Sequence, residues 1–332
     1  MRGSSLLGTI LVGVAALLAV GATHGTVVAQ PAATAYPERA VRIIVPFPAG
    51  GATDIVARAL AERLSVAWKQ PVVIENVAGA TGAIGSAQVA RAARDGYTLI
   101  AGVGTTTAIL KTLKPNLAFD PIGDFTPISL ITVFPNILVV RADFPAASVK
   151  ELIDVTKANP GKFTYASSGY GGSPHLAAEL FKLTAKTEIV HVPFTGSAPA
   201  ITALLGGHVD LIFDTIPSIW PSVASGKLRA LAVASLKRAP SAPDIPAIAE
   251  TLPGFDVTSW EGILAPKGTP DEVVAKIADD IRRAAAEPVF VESLTKLRAV
   301  ATSNTPEEFA RFIADDYAKW QRVVKEAGIK VE

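Results

Sequence analysis

The chain has no cysteine among its 332 residues. That excludes structural disulfides, Cys–zinc sites and thiol nucleophiles. It fits an exported bacterial protein whose stability rests on its apolar core, and hydrophobic residues make up 49% of the sequence. Basic tracts are missing too. Without Arg2, the 31 Lys and Arg fall to 30, matching the 30 Asp and Glu. A neutral chain without a positive stripe is not built for nucleic acid or an anionic membrane surface. Neither G-x-x-x-x-G-K-[ST] nor G-x-G-x-x-G occurs, so no nucleotide cofactor is expected. Histidine is scarce. His175, His191 and His208 have no i,i+4 partner and no H-E-x-x-H context, so no metal site is expected.

Long apolar runs are also rare. Residues 6–22 are apolar and uncharged, follow Arg2 and precede the small residues Val27-Val28-Ala29. This reads as a signal peptide over 1–29, cleaved near Ala29 or, by the A-x-A pattern, after Ala35. The competing reading is a single membrane anchor, for which roughly 17 residues is short. The remaining length suffices for two lobes with cores of their own.

The most informative segment is 41–60, VRIIVPFPAGGATDIVARAL. The β-branched run 41–45 reads as a buried strand ended by Pro46 and Pro48. Gly50-Gly51 form a turn that glycine adopts at low cost. Thr53 or Asp54 is placed to cap the next helix, where Val56, Leu60 and Leu64 repeat every four residues. A strand, a glycine turn and a helix N-terminus together aim free N–H groups at one point, which suits an anion. With no P-loop lysine, a carboxylate is favoured over a phosphate. The same segment also reads as a tight turn with no ligand.

The pattern continues as βαβαβ, with strands expected over 71–76 and 97–103 and a helix over 82–94, hence a parallel sheet covered by helices. A second unit starts near Ser148, which pairs with Glu151 as a capping box. It has strands over 163–166, 188–194, 209–213 and 228–234. Helices are expected from Pro174, after a cap at Ser173, and after Thr195-Gly196-Ser197. Residues 129–140 and 255–266 are extended segments able to cross between lobes. Helices are expected over 271–286 and from Thr305 to residue 324.

Each glycine turn follows a strand, where ligands of open sheets bind. Four to six charge-assisted bonds at about 1.5–3 kcal/mol each support micromolar capture, which needs about −8 kcal/mol, even after the costs of association. Enzyme readings are weaker. Gly171-Gly172-Ser173-Pro174-His175 begins like a nucleophile elbow but fails G-x-S-x-G at its last position. Asp214, at the end of an apolar strand, reads either as a buried cleft residue or as a helix cap. The four tryptophans read as core and hinge packing.

Several segments together resemble one family: YPERAVRIIVPFPAGGATDIVARAL, VVIENVAGATGAIGS, DGYTLIAG, DFTPIS, FTYASSGYGGSPHLAAELF, VPFTGSAPAITALLGGHVDLIFD, GKLRALAV and WEGILAPKGTP. They resemble the periplasmic solute-binding proteins of tripartite tricarboxylate transporters, the Bug family. The resemblance implies an α/β, two-lobe type II periplasmic-binding-protein-like fold, each lobe a sheet flanked by helices, with two hinge crossings. Its lobes would be 36–134 plus 260–332, and 135–259. It implies a periplasmic monomer that captures a small carboxylate (a di- or tricarboxylate, an acidic amino acid or an aromatic acid) and delivers it to membrane permease subunits of a secondary transporter, without catalysis or cofactor.

The turns expected to line the cleft contain Phe47, Gly50, Gly51, Thr53 and Asp54, then Ser167, Gly169, Ser173 and His175, then Thr195 and Ala198, with Asp214 beside them. Thr105 opens the loop after the third strand, where Thr105-Thr106-Thr107-Ala108-Ile109-Leu110-Lys111 departs from the family's Ala-x-Asn-Pro. Ligand identity therefore stays open. The rival readings are a ligand sensor for a membrane signalling partner and a secreted hydrolase using Ser173.

Overall fold

A computed structural model describes residues 36–114 and 116–327. The signal-peptide and cleavage readings lie outside the described residues.

The first unit forms as its apolar periodicity requires. Strand β1 (Val41–Val45) leads into α1 (Ala52–Trp68), then β2 (Val72–Asn76), α2 (Ala83–Ala90) and β3 (Thr98–Val103). β1 lies between β2 and β3, parallel to both. α1 buries Val56, Leu60 and Leu64 against the sheet. Truncating such a leucine costs about 2–5 kcal/mol. After β3 the chain is not an open loop. Thr105–Ile109 is a widened helical turn running into α3 (Leu110–Leu113), and Thr106 and Thr107 bond back to the Val103 carbonyl.

Strand β4 (Phe125–Arg141) is the long shared element. Its first part pairs antiparallel with β9 (Thr258–Pro266), which in turn pairs with β3. Its last part pairs antiparallel with β7 (Leu211–Thr215) and β8 (Leu228–Val233). The two extended segments read as crossings are thus hydrogen-bonded to each other as sheet strands. A second parallel set lies beyond: β5 (Thr164–Ser167) sits between β6 (Val190–Pro193) and β7. The path β2-β1-β3-β9-β4-β7-β5-β6 is one mixed sheet, with helices packed on its faces, as expected for this fold class.

In the second parallel set the helices are α4 (Val149–Ala158), α5 (Ser173–Ala185), α6 (Ser197–Leu205) and α7 (Ile216–Ala224). Ser148 caps α4 by accepting from Glu151 N at 3.2 Å, while the Glu151 carboxylate reaches back to Ala147 N at 2.7 Å. α5 begins at Ser173, so its cap is Gly172 rather than Ser173. The chain closes with α8 (Asp271–Ala286), α9 (Pro288–Lys296), β10 (Val300–Ala301), which pairs with β4, and α10 (Pro306–Ala327). α8 buries Val274, Ile277, Ala278 and Ile281 as its periodicity predicts. Trp68 Nε1 donates to Asp280 at 2.6 Å and ties α1 to α8.

Candidate functional site

The C-terminal ends of the parallel strands in both sets open onto one cavity of about 660 Å³, a volume typical of small-ligand pockets. The turn after β1 supplies Phe47, Pro48 and Gly51–Thr53, and the turn after β2 supplies 78–82. From the other set come Gly169, Tyr170, Ser173, Thr195 and Ser197, with Asp214 and Thr215 at the end of β7.

Four helices begin at this cavity: α1, α5, α6 and α7. Their cap residues are Gly51, Gly172, Gly196 and Thr215, and none makes a side-chain cap hydrogen bond. A helix N-terminus without a capping side chain leaves first-turn N–H groups to an external acceptor. The dipoles add positive potential at the same place. The site is therefore electropositive through its backbone, with little cationic side-chain charge. Among the described residues, Lys114 is the only basic side chain on its wall.

The turn after β1 is held from below. Asp54 does not line the cavity. Its Oδ2 accepts from Gly50 N at 3.0 Å, and its Oδ1 pairs with Arg58 at 2.8 Å and accepts from Asn76 Nδ2 at 3.0 Å. Asn76 Nδ2 also donates to the Phe47 carbonyl at 3.0 Å. Burial pushes the Asp54 carboxyl up, but bonds from Arg58, Gly50 and Asn76 outweigh it and hold the group below its ordinary range. Neither Thr53 nor Asp54 is the cap. The strained glycine is Gly50, at φ +82°. Gly51, at φ −82°, is in extended backbone open to any residue.

The two strand sets touch around the cavity. Gly196, at φ +122°, faces Pro48; a Cβ there would lie 3.1 Å from Pro48 Cγ. Thr81 Oγ1 donates to the Tyr170 carbonyl at 2.8 Å. Ser173 N donates to Thr105 Oγ1 at 3.3 Å, and Ser173 Oγ shares a hydrogen bond with Ser259 Oγ at 2.9 Å. Asn136 Nδ2 donates to the same Ser259 at 3.1 Å.

The structure thus brings Phe47, Gly51, Thr53, Thr105, Gly169, Ser173, Thr195 and Asp214 onto one wall. Gly50, Asp54, Ser167, His175 and Ala198 are not on it: Asp54, Ser167 and His175 are buried, whereas Gly50 and Ala198 are exposed. Ser167 Oγ lies 2.7 Å from His191 Nε2. That pair resembles a nucleophile and base, but Ser167 is fully buried. His191 is stacked between Tyr165 and His175. Burial, with His175 beside it, pulls His191 down to about 4. His175 Nδ1 accepts from Gly171 N at 3.2 Å, shaping the turn from beneath. Ser173 meets Ser259 and Thr105, not a histidine.

Sequence reasoning did not single out Lys114, Tyr170, Ser259, Trp260 or Trp320, all on the wall. Two of the tryptophans read as packing therefore face the cavity. Trp260 Nε1 donates to Asp316 at 2.8 Å, which fixes its indole. A further buried acid, Glu261, has no hydrogen-bond partner for either carboxyl oxygen.

The family model for the tripartite tricarboxylate transporter family receptor matches residues 56–329. BugT of Bordetella pertussis is 36% identical over 313 residues, covering 94% of this chain and 96% of that protein. An R. palustris protein solved with adipate superposes with a TM-score of 0.86 at 36% identity, covering 89% of this chain and 99% of that one. MatC from Rhodopseudomonas palustris with bound malate superposes at 0.82 and 35% identity, covering 87% and 100%. With the family matched over most of its length and the periplasmic-receptor fold in place, the chain belongs to the tripartite tricarboxylate transporter receptor family and is a solute-binding protein rather than an enzyme.

Proposed function

We propose that this protein is a periplasmic receptor that captures a small carboxylate in the cleft between two lobes and hands it to permease subunits of a secondary transporter. The lobes are 36–134 plus 260–332, and 135–259, with β4 and β9 as the crossings. The observation that carries the reading is the convergence of four helix N-termini without capping side chains on one cavity. Such a site stabilises a carboxylate through oriented N–H groups. The ligand contacts are Phe47, Gly51, Thr53, Thr105, Gly169, Ser173, Thr195 and Asp214, with Asp54, Ser167 and His175 buried behind them and Gly50 and Ala198 in the same turns.

Because the cavity wall is drawn from both strand sets, a ligand that touches both favours the closed arrangement by its differential contacts. The adipate and malate found in two relatives support a carboxylate as the class. Thermal unfolding against a panel of mono-, di- and tricarboxylates, with nucleotides and free sugars as controls, tests this. A ligand at 100 times its Kd adds about 2.7 kcal/mol to stability, which is readily seen. Stabilisation by a nucleotide or sugar and by no organic acid refutes the reading.

A further inference from the structure

Asp214 is an anomaly in a cavity built for anions. It lies near the end of β7, fully buried, and lines the cavity. Its two oxygens are treated unequally. Oδ1 accepts from Ser197 Oγ at 2.8 Å, Thr215 N at 2.7 Å and Thr215 Oγ1 at 3.4 Å. Oδ2 meets no donor in the protein. Ser197 opens α6 and Thr215 caps α7, so both helices are tied to Oδ1 while Oδ2 is left buried without a donor.

An ionised Oδ2 beside a ligand carboxylate sets two like charges against each other in a poorly solvated site. Two carboxyl groups sharing such a site keep one proton between them. We propose that Asp214 binds the ligand carboxylate through a proton on Oδ2, so that capture of a carboxylate takes up one proton from solvent. This rests on the carboxylate reading above and adds to it a proton-linked contact at a named atom.

The surroundings leave Asp214 as the group that responds. α6 and α7 carry no titratable side chain. β4 contributes Arg141, whose guanidinium lies near Asp143 and Asp210. Tyr165 on β5, with His175, Glu179 and Lys182 on α5 and His191 on β6, are engaged with one another, and Tyr165 packs in the core on the Leu211–Phe213 side of β7. Asp214 belongs to the opposite side, with Ile212, as strand alternation requires. Lys114 is the basic side chain on the cavity wall. No charged neighbour moves Asp214. Burial alone pushes it up, to about 6, although the bonds from Ser197 and Thr215 pull it down. In the ligand-free protein it is therefore mostly ionised at pH 7.5 and close to accepting a proton. A ligand carboxylate against Oδ2 raises it further.

The test is titration calorimetry of the purified protein with adipate, malate and aspartate at pH 6.5, 7.5 and 8.5, each in two buffers of different ionisation enthalpy. The expected result is uptake of nearly one proton at pH 7.5, with affinity falling about tenfold per pH unit above that. In D214N the amide oxygen keeps the Ser197 and Thr215 donors and Nδ2–H replaces the proton. That variant is expected to lose the proton uptake and the pH slope, and to bind more tightly than the unsubstituted protein at pH 8.5. If D214N does not fold, the proton uptake of the unsubstituted protein decides alone. Carboxylate binding without proton uptake overturns the inference and leaves the carboxylate reading standing. So does preferential binding of aspartate without uptake, which would make Oδ2 an acceptor for an ammonium. Binding of no carboxylate fails the carboxylate reading, and this inference with it.

Discussion

Replacing Glu261 should stabilise this protein, and by an amount that depends on pH. Glu261 sits on β9 in the middle of the sheet, opposite Val103 on one side and Thr132 on the other. It is fully buried, and neither oxygen has a partner. Burial, reinforced by the negative Asp54, pushes its carboxyl well above the ordinary 4.5. Because the folded value exceeds the unfolded one, its contribution to stability is fully present below pH 4.5 and is lost as pH rises toward the folded value. The loss approaches about 1.4 kcal/mol per pH unit across that window.

Two substitutions separate the parts of this effect. E261Q keeps the shape and the unpaired polar atoms but cannot ionise. Its stability should equal that of the unsubstituted protein near pH 4 and exceed it increasingly toward pH 8. E261M also removes the unpaired oxygens, adding about 1–3 kcal/mol at every pH. For a chain of this size that is roughly 2 °C in Tm per kcal/mol. The assay is urea unfolding followed by tryptophan fluorescence at pH 4, 6 and 8. Parallel pH profiles for the unsubstituted protein and E261Q, or an E261M less stable than both, would show that Glu261 has a partner and refute the reasoning.

Gly196→Val places a β-branched side chain at φ +122° and a Cβ 3.1 Å from Pro48 Cγ; binding should be lost with about 1–2 kcal/mol of stability, whereas Gly51→Ala, at φ −82°, should unfold like the unsubstituted protein in the same urea titration. Ligand-free D214N should be more stable than the unsubstituted protein at pH 8 and equal to it near pH 4, because a folded value of about 6 against 3.8 costs up to about 3 kcal/mol once pH exceeds 6; circular dichroism melts at both pH values check this. Arg58→Ala should move acid unfolding to higher pH. Asp54 is held below its ordinary range by Arg58, Gly50 and Asn76, so its stabilisation is present above 3.8 and lost as pH falls through the lowered value; a pH titration of tryptophan fluorescence reads the midpoint.

Local rules made most elements legible in the sequence. The apolar run Val41–Val45, the four-residue repeat of Val56, Leu60 and Leu64, the Ser148–Glu151 capping and the helical face of α8 each depend on residues close in the chain, so they could be read without the fold. The glycine turns announced strand-to-helix junctions for the same reason. The helix α7 could not be read this way. Proline disfavours a helix interior, yet α7 contains Pro217 and Pro221; it stands because Pro217 falls in the first turn and Ile216 and Ile219 are buried. Two-residue β10 exists only because β4 lies beside it.

The site divides along the same line. That glycine turns would line a cleft follows from strand order. Which atoms of those turns face a ligand follows from packing at long range. Asp54 is turned inward by Arg58 and Asn76, His175 is stacked on His191, and Trp320 is carried to the cavity from the last helix. Periodicity and turn chemistry are local, so the α/β pattern and the helix N-termini that suit an anion could be read along the chain. That Asp214 keeps one buried oxygen without a donor, and that Glu261 has neither oxygen paired, emerges only from long-range packing, because burial and hydrogen-bond satisfaction belong to the whole fold.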